Sequence, residues 1–76
     1  MQFCDKCRLS IRDGSGNTIA DLLAKAGQLC QSGRAGGEQA YGVVKNALST
    51  LETKGGCSNC ISGMRAFKSQ LESMLA

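Results

Sequence analysis

The sequence predicts an all-α fold: three helices behind an irregular N-terminal head that carries cysteines. Three observations predict it. Apolar residues recur at helical spacing in three separate stretches, glycine-rich joints divide those stretches, and alternating strand-like patterning is nearly absent. At 76 residues the chain has the size of one domain, expected to span 1–76.

The head, residues 1–16, opens on Cys4-Asp5-Lys6-Cys7. Arg8-Leu9-Ser10-Ile11-Arg12 follows, the sole alternating stretch, long enough for one short extended arm. Asp13-Gly14-Ser15-Gly16 supplies turn conformations. Asn17 or Thr18 then caps a helix over 18–32, with Asp21 favourably placed in its first turn. Its apolar stripe is Ile19, Leu22, Leu23, Ala26, Leu29 and Cys30, and Gly33 ends it in the left-handed conformation.

Arg34-Ala35-Gly36-Gly37 reads as a second joint. A second helix is expected over 38–54, burying Ala40, Val43, Val44, Ala47, Leu48 and Leu51. Gly42 falls inside that stripe at a cost of about 1 kcal/mol against Ala, which suggests close approach of a neighbouring helix there. Gly55-Gly56 closes the segment. The third helix is expected over 57–75, with Cys60, Ile61, Met64, Phe67, Leu71, Met74 and Leu75 on its inner face.

Such a chain has little core to work with. Hydrophobic residues make up 42% of it, but 8 are Ala and 5 are Cys, leaving 19 large side chains. Domains of this size rarely obtain more than about 3–5 kcal/mol from one hydrophobic core, and many carry a staple. The cysteines are the obvious supplement.

Cys4, Cys7, Cys57 and Cys60 form two C-x-x-C pairs, the complete ligand count for a tetrahedral zinc ion. Two intervening residues let the chain turn so that both sulfurs of a pair reach one ion. The second pair opens the third helix, whose positive N-terminal end favours thiolate over thiol. A loop-borne pair followed by a helix-borne pair resembles the layout of treble-clef zinc modules. Here 49 residues separate Cys7 from Cys57, against about 15–20 in compact zinc ribbons, so the first two helices must form a hairpin insertion. Because a filled shell of four thiolates leaves no open position, the metal would be structural, and a chelator is expected to unfold the protein.

Other readings of the same thiols stay open. An iron–sulfur cluster also takes four thiolates. The fifteen residues Cys57–Leu71 resemble the Cys-pair-then-helix tail of bacterioferritin-associated ferredoxins, which implies such a cluster; that family has a C-x-C first pair and a much shorter separator. Either pair would also serve as a dithiol redox site, although no buried strand precedes Cys57 as thioredoxin-like chemistry requires. Disulfides are the reading for an oxidising compartment. Cys30 shares the apolar stripe of the first helix and is expected to pack as a small hydrophobe.

The chain contains no His, which rules out mixed Cys–His zinc sites and removes the usual general base. Its six acids are scattered singly, and no glycine-rich loop matches a nucleotide fingerprint. No enzyme mechanism can be assembled from these residues. The net charge of +3 would fall by two with four thiolates around Zn²⁺, too little to argue for nucleic acid from charge alone. Lys6, Arg8, Arg12, Arg65 and Lys68 would nonetheless gather at one end if the cysteine pairs meet, offering an anion or nucleic-acid contact.

No apolar run approaches the ~18 residues of a membrane span, and Met1–Lys6 lacks the features of a signal peptide. With Met1 as the natural start, a cytoplasmic protein with reduced thiols is expected. The expectation is therefore a small zinc-stabilised, non-enzymatic binding module for a protein partner, regulatory or inhibitory in role. The alternatives are an iron–sulfur or dithiol redox protein and a nucleic-acid-binding zinc module.

Overall fold

The computed structural model describes residues 3–76; the first two positions of the expected head lie outside the described residues. It contains four helices, α1 (Asp5–Ser10), α2 (Ile19–Cys30), α3 (Gly33–Thr53) and α4 (Ser58–Leu75). Among the described residues the only β pairing is an isolated antiparallel bridge between Arg12 and Thr18. The all-α expectation therefore holds, with one helix more than the sequence suggested.

The head is where the two differ. In place of a loop-like knuckle, residues 5–10 form a short helix capped by Cys4, whose sulfur accepts the Cys7 backbone N–H at 3.4 Å. Cysteine thus takes the place that Ser or Asp usually fills at an N-cap. Asp5 lies in the first turn and pairs with Arg8, three residues on. The extended arm expected over Arg8–Arg12 shrinks to its last two residues, because helical hydrogen bonding runs through Ser10.

The loop that follows is tied by its own polar groups. Asp13 Oδ1 accepts the backbone N–H groups of Ser15 and Asn17, each at 2.9 Å, and its other oxygen accepts the Asn46 amide of α3. Gly16 supplies the left-handed turn at φ 86°. Thr18 then opens α2 with a reciprocal cap: its hydroxyl accepts the Asp21 N–H, and the Asp21 carboxylate accepts the Thr18 N–H.

Helix α3 begins at Gly33, five residues earlier than expected, so the supposed joint 34–37 is its first turn. Gly36 and Gly37 are buried. A methyl group on Gly36 would collide with the Leu29 carbonyl oxygen and approach Ser32 Cβ to 2.7 Å; one on Gly37 would meet Leu75 at 3.5 Å. Local propensity reads Gly-Gly as a break, but at Gly36 the missing side chain lets the end of α2 come close to α3, whereas a methyl on Gly37 would make only ordinary contact with α4. The close approach expected at Gly42 is not there: that residue is exposed, with open space where a side chain would go. The C-terminus of α3 closes as the sequence indicated. Gly55 adopts φ 81° and the Gly56 N–H reaches back to the Leu51 carbonyl at 2.7 Å.

Helix α3 packs against both α2 and α4. The core between them holds Ile19, Leu22, Ala26, Ala40, Val44, Ala47, Leu48, Leu51, Cys60, Met64 and Leu71, with Cys7 joining from α1. Met74, expected on the inner face of the last helix, is 64% exposed in the final turn, while Leu75 takes the inward place beside Gly37. Helix α1 rests on α2 and has little contact with α4 apart from the cysteines. Among the described residues no helix is long and apolar enough to cross a membrane.

Candidate metal centre

The two cysteine pairs arrive at one place by the same local device. Cys4 precedes α1 at φ −72°, ψ 147°, and Cys57 precedes α4 at φ −70°, ψ 156°. Each is an N-cap residue in extended conformation, and each places its partner, Cys7 or Cys60, on the inner side of the first helical turn. Both C-x-x-C pairs therefore sit on helix N-termini. The treble-clef layout would take one of them from a knuckle.

The four sulfurs lie within 4.8 Å of one another. Cys4 Sγ is 3.7 Å from Cys57 Sγ and 3.4 Å from Cys60 Sγ. Four thiolates at about 2.3 Å from a central ion would have sulfur–sulfur edges of about 3.8 Å. A disulfide would need about 2.05 Å, and all five cysteines are free thiols. The group thus fits the donor set of a single tetrahedral ion. Cys30, half-buried at the end of α2 and packed against the core, stands outside it.

Backbone amides support the sulfurs crosswise. The Cys4 N–H donates to Cys60 Sγ at 3.3 Å, and the Cys57 N–H donates to Cys7 Sγ at 3.4 Å. Such bonds orient ligand sulfurs and stabilise their charge. Two helix N-termini add partial positive charge to the same spot.

Without an ion the four thiols compete. The Cys60 backbone N–H, with help from the neighbouring sulfurs, pulls the Cys57 thiol down to about 7. Burial pushes Cys60 up to about 12. At Cys7 the Cys57 N–H pulls downward, but burial and competition with Cys4 and Cys57 outweigh it, leaving the thiol above its ordinary value. One outer sulfur is ready to ionise while the inner two hold their protons.

The basic residues fare differently. Arg8 pairs with Asp5, Arg65 with Glu52 at 2.8 Å, and Lys68 with Glu72 at 3.5 Å. Arg12 donates to the Gly16 carbonyl. Lys6 lines a cleft of about 250 Å³ beside the cysteines, together with Cys4, Cys7, Ser10, Ile11, Lys54, Gly55 and Cys57. Lys54 escaped the sequence reading, since its place on this cleft follows from how α3 ends and no motif contains it.

No known protein family, curated protein or solved structure matches this chain. Its chemistry must be read from its own residues.

Proposed function

We propose that the chain is a small, zinc-stabilised, non-enzymatic module of the cytoplasm that recognises a protein partner. The observation that carries this reading is the tight group of four sulfurs, Cys4, Cys7, Cys57 and Cys60, on two facing helix N-termini. Four thiolates fill a tetrahedral shell, so the ion would tie α1 to α4 and leave no position for substrate. A cluster would set bridging sulfides and several irons between the thiolates, and sulfurs this close together suit a single ion better. Five free thiols also suit a reducing compartment.

A protein partner is favoured over nucleic acid by the engaged basic side chains. Arg8, Arg65 and Lys68 each face a carboxylate, so a phosphate would have to displace it.

Elemental analysis joined to native mass spectrometry tests the metal. One zinc per chain, without visible absorbance, supports the reading; iron with a visible spectrum supports the redox alternative and overturns it. Titration with duplex DNA and single-stranded RNA tests the partner class. Salt-dependent affinity for either would replace the protein-recognition reading.

A further inference from the structure

The four sulfurs are not equally sheltered. Cys60 is 0% exposed and Cys7 5%, whereas Cys4 and Cys57 lie nearer the surface, Cys57 the more open of the two. The cleft of about 250 Å³ opens onto Cys4, Cys7 and Cys57, while Cys60 has no part in its lining. It admits a small molecule to the outer sulfurs and keeps the innermost one sealed. Lys6 and Lys54 also line the cleft and bring positive charge to it, which favours an oxygen anion formed there.

We propose that Cys57 and Cys4 form an oxidation site for small hydroperoxides, at which a disulfide between the two releases the metal. The inference rests on the metal-site reading above. Cys57 Sγ attacks one peroxide oxygen; the O–O bond breaks, the other oxygen departs and takes up a proton as alcohol or water, and Cys57 becomes a sulfenic acid. Cys4 Sγ, 3.7 Å away, then attacks that sulfur, forms the S–S bond and expels hydroxide, which takes up a second proton. The two sulfurs give up two electrons and the peroxide receives them. Closing from 3.7 Å to about 2.05 Å asks for side-chain movement of less than about 2 Å. Cys7 and Cys60 remain as a half shell, too few ligands to retain a tetrahedral ion.

The disulfide joins α1 to α4 at the very place the ion joined them. Oxidation therefore exchanges one tie for another and keeps the fold closed while discharging the metal.

The test uses the full zinc-loaded chain carrying Cys30→Ser, so that no fifth thiol intervenes, treated with hydrogen peroxide. Zinc release is followed with a chelating dye and the product is mapped by trypsin. Cleavage after Lys6 separates Cys4 from Cys7, and fragmentation through Ser58-Asn59 separates Cys57 from Cys60. The expected result is loss of the bound zinc, a metal-free mass lower by about 2 Da, and a linked peptide joining Cys4 to Cys57. A thiol reductant with added zinc should restore the starting species. A first-formed bond within Cys57–Cys60, a bond to Cys7, sulfinic acid on Cys57 without a bond, or unmodified thiols would each overturn the inference. Zinc content is measured before peroxide is added. A chain that holds none refutes the metal reading separately, and the same peptide map on that chain still decides whether Cys4 and Cys57 join.

Discussion

Cys4 and Cys57, 53 residues apart, are conformational counterparts. Each stands one place before a helix in nearly the same extended conformation, and each gives its backbone N–H to the inner sulfur of the other pair. The exchange makes the site reciprocal: the α1 end supports a sulfur from α4, and the α4 end supports one from α1. Moving either helix away would break a sulfur–sulfur neighbourhood and an N–H···S bond together.

If the four sulfurs hold zinc as proposed, replacing one of them should cost more than replacing the thiol outside the group. Cys7→Ser or Cys60→Ser is expected to weaken zinc binding by at least about 100-fold, beyond what loss of an orienting partner typically costs. Cys30→Ser should leave one zinc per chain, because its sulfur is outside the group. Competition with a chromophoric chelator measures both.

Metal affinity should rise with pH. In the metal-free protein the thiols of Cys60, pushed up to about 12, and Cys7, also raised, are protonated at neutral pH. Binding must expel those protons, so lowering the proton concentration favours the ion. Release of those two protons alone corresponds to roughly 100-fold in affinity per pH unit, and Cys57, at about 7, steepens the slope further at the acid end. A zinc titration across the range from about pH 6 to 8 checks the slope, and a flat profile would contradict the protonation pattern.

Removal of the ion should loosen the head before the rest. Helix α1 meets α4 chiefly through the cysteines, whereas α3 is packed along both α2 and α4. After chelation, hydrogen exchange should accelerate first at the amides of Arg8 and Ile11, which bond to Cys4 and Cys7. Amides in the middle of α3, near Val44 and Leu48, should stay protected longer. Simultaneous loss everywhere would mean instead that the metal holds the whole fold in one cooperative unit.

Two glycines of the same helix should respond in opposite directions. Gly42→Ala places a methyl in open space on an exposed helix face and should stabilise by about 1 kcal/mol, or about 4–8 °C in Tm for a domain of this size. Gly36→Ala drives a methyl into the Leu29 carbonyl and should lower Tm or prevent folding. Thermal melts of the two variants with metal bound decide it.

Much of this arrangement was written into residue order. The spacing of Ile19, Leu22 and Ala26, of Ala40, Val44, Ala47 and Leu51, and of Cys60, Met64 and Leu71 identifies the buried faces, because helical periodicity is a local property. The same holds for the caps at Thr18 and Gly55, whose signals lie within a few residues. The two C-x-x-C pairs named the candidate ligands for the same reason. Only the tertiary structure showed that Gly36 and Gly37 are helical and buried, with the Leu29 carbonyl of α2 crowding Gly36 and Leu75 of α4 beside Gly37. It alone decided that the Cys4–Cys7 pair meets the Cys57–Cys60 pair, that Cys60 is sealed while Cys57 lies nearer the surface, and that Lys54 borders the cleft. Most of these depend on contacts between positions distant in the chain, where pairing is set by three-dimensional packing and no local pattern records it.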